Sequence, residues 1–161
     1  MSDRSRDVVQ DVPTDIVAPV GSEVVPDPSM SAVDRILSQA RAGLDRVAVE
    51  DLAAEMADGA LVVDTRPVEQ RSRDGELPGA LVVDRNVLEW RLDPTCPHRI
   101  PEVTERARRI ILVCNEGYSS SLAAASLQRL GLSRATDLIG GFQEWARASS
   151  QLEGPAPKED R

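Results

Sequence analysis

Aromatic side chains make up only 2% of this chain: two Trp, one Tyr and one Phe among 161 residues. Any core must therefore be built from Val, Leu, Ile and Ala. Cysteine is scarce too. Two Cys without a framework spacing fit a reducing compartment better than a disulfide scaffold. No apolar stretch approaches membrane-spanning length, and the N-terminus is too polar for the apolar region of a secretory signal. A cytoplasmic protein with no membrane partner is expected. Positive charge is in deficit, with 19 Lys and Arg against 27 Asp and Glu, for a net charge of −8. That balance argues against nucleic acid as a partner. No internal repeat is visible. A single histidine, His98, lies in the proline-punctuated run Asp93–Pro101 together with Cys96. A structural zinc needs four ligands and no others cluster there, so no metal site is expected.

What is present is one ordinary domain plus tails. Residues 1–30 hold four Pro and six acids against Arg4 and Arg6, with neither helical nor strand period. They read as a disordered acidic leader. Residues 31–150 read as the domain and 151–161 as a disordered tail. Ser31 to Asp34 has the look of a capping box, with Val33, Ile36, Leu37 and Ala40 following at helical spacing up to Gly43. A short strand is predicted at Arg46–Val49. A helix follows from Glu50 to Ala57, with Leu52, Ala53 and Met56 inward. Ala60–Asp64, Ala80–Val83, Ile110–Val113 and Ala135–Leu138 complete the strands. Between them, Pro67–Arg73 reads as a short helix or turn. Arg85–Leu92 reads as helical turns with Val87, Leu88 and Leu92 inward, and Pro101–Arg108 as a polar helical segment. A final helix is expected through Ala148 with Phe142 and Trp145 inward. Strands alternating with helices imply a three-layer α/β/α sandwich on a central parallel sheet of about five strands.

The stretch that organises the chain is Ile110-Ile111-Leu112-Val113-Cys114, a buried-strand pattern running into a cysteine. A short polar loop follows, and then a helical pattern from Leu122 to Leu130, with the serines as N-cap candidates and Gly131 as the stop. Cys114 should thus sit at the carboxyl end of a strand beside a helix N-terminus, the edge where open parallel sheets bind ligands. Loop N–H groups pointing inward there make an anion site and favour thiolate over thiol. Gly117 lets the backbone turn, while Asn115, Ser119 and Ser120 add polar partners. The alternative is an unreactive buried cysteine acting as a small hydrophobe.

Cys114-x-x-Gly117-x-Ser119-Ser120 resembles the active-site loop of single-domain rhodaneses, a family of sulfurtransferases. Asp64-Thr65-Arg66-Pro67 followed by Gly75-Glu76-Leu77-Pro78-Gly79-Ala80 is similar to the family's Asp-x-Arg … Gly-His-Ile-Pro-Gly-Ala signature, with Glu76 where His is usual. Leu138-Ile139-Gly140-Gly141-Phe142-Gln143-Glu144-Trp145 is similar to its closing Leu-x-Gly-Gly-x-x-x-Trp. The resemblance spans roughly residues 45–150. It implies that Cys114 takes a sulfane sulfur from thiosulfate or a persulfide and passes it to a thiophilic acceptor, cyanide or a thiol, with no cofactor. Residues 115–120 (Asn115, Glu116, Gly117, Tyr118, Ser119, Ser120) would form the substrate-binding loop, with a protein among the acceptors the resemblance allows. Asp64 and Arg66, at a strand's carboxyl end, are either a structural clasp or a source of positive field for an anionic substrate.

Two features depart from the family. Arg is common at the place of Ser119, and Glu116 adds negative charge. Together they predict weak attraction for a dianionic donor. They also keep open a non-catalytic binding or redox-sensing module of the same fold. A phosphatase of this fold would need Arg six residues after the cysteine, where Ser120 stands. Tyr118 at the loop apex is expected to be exposed, as a pocket wall or a docking point. Cys96 reads as an exposed loop thiol, or as a resolving thiol for Cys114 if its loop reaches the active edge.

Overall fold

The protein is described by a computed structural model covering residues 29–153. The acidic leader expected over 1–30 falls almost wholly outside those residues, as does the tail beyond Glu153. The described residues from Ser31 onward fall in one compact unit.

That unit is an α/β protein with a four-stranded parallel sheet, β1 (Leu61–Asp64), β2 (Leu81–Val82), β3 (Ile110–Val113) and β4 (Ala135–Asp137). The strand order is β2-β1-β3-β4. β1 and β3 pair over their whole length, Leu61 opposite Ile110 and Asp64 opposite Val113. β3 is a four-residue apolar run and β1 is three apolar residues closed by Asp64, with every residue of both buried, the mark of strands covered on both faces. Period-two alternation sorts their side chains into two cores. Leu61, Val63, Ile110 and Leu112 join Leu88, Leu92, Ala123, Ala124 and Leu127 on one face. Val62, Ile111 and Val113 join Val47, Leu52, Leu138 and Phe142 on the other.

Helices cover both faces. α4 (Leu88–Leu92) and α5 (Ser119–Arg129) serve the first core, with α1 (Ala32–Ala42) packed on α5. α2 (Val49–Ala57) and α6 (Gly141–Glu153) cover the second and touch each other. A short helix, α3 (Val68–Asp74), links β1 to β2, and a single 3-10 turn (Arg85–Val87) leads into α4. α1 opens as expected, with the Ser31 hydroxyl accepting from the Asp34 N–H.

Several expectations are corrected. Among the described residues the sheet has four strands where about five were expected: Arg46–Val49 contributes only an isolated parallel bridge between Val47 and Leu138. α2 begins at Val49 and leaves no length for pairing. On α1 only Leu37 is buried, while Val33 and Ile36 are 61% and 56% exposed, because the helix rests on α5 along one narrow side. Ala53 and Val87 also face outward. Pro101–Arg108 is a pair of turns rather than a helix, anchored by the fully buried Val103. α6 runs through Glu153, five residues past the expected end and three into the expected tail.

Candidate active site

β1 connects to β2 on one side of the sheet, and the chain then crosses to β3 on the other side of β1. The carboxyl ends of β1 and β3 thus flank the point where connections diverge, the usual crevice of an open parallel sheet. Thr65, just past β1, donates both its N–H (2.8 Å) and its hydroxyl (3.0 Å) to the Val113 carbonyl, so the two strand ends are tied together. A cleft of about 310 Å³ opens here, lined by Thr65, Arg66, Gln70, Cys114, Glu116 and Tyr118, among others.

Cys114 is 6% exposed. Its Sγ accepts the Gly117 N–H at 3.1 Å and the Ser120 N–H at 3.4 Å, and it lies 3.2 Å from Ser120 Oγ. α5 starts at Ser119, so Tyr118 occupies the cap position and its side chain makes no cap hydrogen bond. The serines expected as caps lie inside the first turn. The sulfur of Cys114 takes the capping role instead, accepting the N–H that a cap side chain would ordinarily receive. Burial pushes the Cys114 thiol up, but the Ser119 and Ser120 hydroxyls and the Ser120 and Gly117 N–H groups outweigh it. The thiol therefore sits below its ordinary value.

Gly117 holds φ +78°, and a Cβ there would come within 2.8 Å of the Gly140 nitrogen. Only glycine fits both the turn and the approach. The Gly140–Gly141 turn lies directly beneath the loop, with the Phe142 N–H bonded to the Cys114 carbonyl at 2.9 Å and the Gln143 N–H to the Asn115 carbonyl at 3.0 Å. Two motifs far apart in sequence therefore form one backbone unit.

Asp64 and Arg66 form a buried clasp. Arg66 Nε reaches both Asp64 oxygens (3.0 and 3.1 Å), Nη2 bonds Asp64 at 2.7 Å and the Gly75 carbonyl at 2.9 Å, and the guanidinium stacks 3.5 Å from the Phe142 ring centroid. Its Nη1 is buried without a hydrogen-bond partner. Nearly all of its bonding serves loop structure, which favours the clasp over the substrate-field alternative. Glu116 and Tyr118 are exposed at the cleft mouth, Tyr118 at 58%. Asn115 Oδ1 accepts from Gln143 at 3.0 Å.

Cys96 does not join this site. It lies in a small cleft with Trp90 and Leu130, at the C-terminal end of α5. Cys114 is at the N-terminal end, and an eleven-residue helix spans about 16 Å. His98 is exposed in the same distant loop. Among the described residues no three His, Cys, Asp or Glu side chains gather as a metal site, and no helix is long and apolar enough to cross a membrane.

The sequence reading missed several residues of the site. Thr65 and Gln70 line the cleft, while Arg41, Arg46, Ser121 and Asp137 pack behind the loop. Two carried a usable signal: Thr65 directly follows a strand, and Asp137 puts a charge inside the strand read over Ala135–Leu138. Gln70, Arg41 and Arg46 carried none.

Fold and site together define a class: open parallel α/β proteins with a cysteine held in an amide cradle at the carboxyl edge. Within that class the chain belongs to the rhodanese-like domain family, whose model matches residues 48–148. It is 30% identical over 98 residues to the adenylyltransferase and sulfurtransferase UBA4 of Lodderomyces elongisporus, covering 60% of this chain and 21% of that protein's length. Among solved structures it is similar to a protein of unknown function from Rhodopseudomonas palustris described as a possible tyrosine phosphatase. That match has 28% identity and a TM-score of 0.67, covering 77% of this chain and 96% of the other. The human single-domain sulfurtransferase TSTD1 shares the fold at 24% identity and a TM-score of 0.53, with 69% and 97% covered.

Proposed function

We propose that this chain is a sulfurtransferase whose nucleophile is Cys114. One observation carries the reading: a buried sulfur that accepts two backbone N–H bonds and whose thiol sits below its ordinary value. The Cys114 thiolate attacks the outer sulfur of a persulfide R–S–SH. The S–S bond of the donor breaks, R–S⁻ leaves with the electron pair, and a persulfide forms on Cys114. An acceptor thiolate or cyanide then attacks that outer sulfur, and Cys114 leaves as thiolate. The N–H groups of Gly117 and Ser120 stabilise the sulfur's charge before and after transfer.

The cleft favours monoanionic or neutral donors over thiosulfate. Glu116 adds negative charge at its mouth, and the guanidinium of Arg66 is committed to Asp64 and Gly75. A dianion would meet that repulsion, and among the described residues lining the cleft the one cation, Arg66, is already paired with Asp64. Persulfides and polysulfides are therefore the expected donor class, and a thiol, free or on a protein, the expected acceptor. The kinship with UBA4 and TSTD1 supports sulfur transfer; their own donors and acceptors are not carried over.

The Rhodopseudomonas neighbour raises the phosphatase reading. Bidentate phosphate binding needs Arg six residues after the cysteine. That place is Ser120, fully buried, with its hydroxyl bonded to Asp137 at 2.9 Å. Aryl phosphate hydrolysis is expected to be absent.

The test is intact-protein mass spectrometry after incubation with glutathione persulfide and, separately, with thiosulfate. Wild type should gain one sulfur atom from the persulfide, lose it to cyanide, and gain little from thiosulfate. Cys114→Ser should gain none. No adduct on folded wild type would overturn the reading in favour of a non-catalytic module. A saturating adduct at micromolar thiosulfate would overturn the donor preference.

A further inference from the structure

Behind the Cys114 loop lies a buried charge that sulfur transfer does not use. Asp137, the last residue of β4, is fully buried. Its Oδ2 accepts the Ser120 hydroxyl at 2.9 Å and the Ser121 hydroxyl at 2.7 Å. Ser120 Oγ is in turn 3.2 Å from Cys114 Sγ. The carboxylate thus lies within about 6 Å of the sulfur, close enough in a buried site for two negative charges to oppose each other strongly. Ser120 also has a single hydroxyl hydrogen, for which carboxylate and thiolate compete.

One residue offsets this. Arg46 bonds both Asp137 oxygens, Nε to Oδ1 at 2.8 Å and Nη2 to Oδ2 at 3.1 Å, and its side chain is only 17% exposed. The same Nη2 reaches the Gly117 carbonyl at 3.2 Å, beside Arg41 Nη2 at 2.8 Å. Arg41 Nε also donates to Ser121 Oγ at 3.1 Å. Gly117 is the residue whose N–H points at the sulfur, so its carbonyl is held from behind by two guanidinium groups. Both arginines precede residue 48, where the match to the family model begins.

We propose that Arg46, contributed from outside the family-matched residues, is the positioning residue that keeps the buried Asp137 carboxylate from suppressing the Cys114 thiolate. It neutralises Asp137, weakens that carboxylate's claim on the Ser120 hydrogen and fixes the Gly117 peptide. The proposal rests on the proposed function only in taking Cys114 as the reactive atom.

The other charged or titratable groups around Cys114 are the same in every variant of the test. They are the Asp64–Arg66 pair from the end of β1, Glu116 and Tyr118 from the loop, and Arg41 from α1. The opening of α6 presents uncharged Gly141 and Phe142.

The experiment measures iodoacetamide alkylation of the full chain against pH, in a Cys96→Ser background so that Cys114 alone reports. Arg46→Gln should alkylate about tenfold more slowly at pH 7, with its profile moved to higher pH. Arg46→Lys should recover part of that loss. Asp137→Asn should move the profile the opposite way, and Arg46→Gln with Asp137→Asn should return close to the parent. A mere packing strut predicts something else: both single variants slow and the double variant slowest. That pattern, or an unchanged Arg46→Gln profile on protein with a wild-type circular dichroism spectrum, overturns the proposal. Alkylation reports the thiolate whether or not sulfur is transferred. A missing persulfide adduct with the predicted profiles would therefore sink the sulfurtransferase reading alone.

Discussion

Cys114 owes its character to position more than to burial. A cysteine at the end of a buried strand is ordinarily inert, and burial alone would hold its proton on. Here the backbone turns at Gly117 and enters α5 so that two N–H groups meet the sulfur. Arg66 is a different case at the same scale. Its guanidinium is sandwiched between Asp64 and Phe142 and is 2% exposed. Arg66→Ala would leave the Asp64 carboxylate buried without its counter-charge, a loss expected to cost about 3–5 kcal/mol. The expected result is a large drop in denaturation midpoint. A normal midpoint with weakened donor binding would restore the substrate-field role.

At the scale of elements, the loop after β3 and the turn before α6 act as one piece. Gly141 has φ +60°, and a Cβ on it would lie 2.5 Å from the Cys114 carbonyl oxygen and 2.7 Å from the Gly117 nitrogen. The neighbours are backbone, so they can yield only by moving the cradle itself. Gly141→Ala is expected to destabilise by at least about 2 kcal/mol, from left-handed backbone strain plus overpacking. It should also slow alkylation of Cys114 in the molecules that stay folded. Denaturant melts and thiol kinetics on the same preparation check both halves. Most elements of the sheet were legible as apolar runs, β3 and α5 above all, because strand, cysteine, loop and helix are contiguous. The strand read at Arg46–Val49 is instead an isolated bridge. Val47 has the right residue type, but α2 starts two residues later, and a strand needs length before it can pair.

Across the whole molecule, ion pairs tie the layers together. Arg109, just before β3, grips Glu55 of α2 through Nη2–Oε1 at 2.7 Å and Nε–Oε2 at 3.1 Å. Those bonds hold the Glu55 carboxyl below its ordinary value, against an opposing push from burial. A carboxyl lowered in the folded state contributes stability that is present above its unfolded value and is lost as pH falls through the folded one. Stability should therefore decline below about pH 4.3, the ordinary glutamate value. Glu55→Gln should flatten that decline and cost under about 1 kcal/mol at neutral pH, since the pair is partly exposed. Thermal melts from pH 3 to 7 on both proteins test the sign.

The sequence alone determined the class of fold, the strand that carries Cys114 and the three motifs that converge on it. These are local facts: apolar runs, turn glycines and a cysteine at a strand end are set by neighbours in the chain. Tertiary structure decided which strands lie side by side, and hence that Thr65 and Gln70 share the cleft with Cys114. It also turned Val33 and Ile36 outward, since helical spacing marks a face but not what covers it. Above all it set Arg46 against Asp137, 91 residues away. A salt bridge needs only two opposite charges brought together, and nothing local in either segment records which charge the fold will deliver.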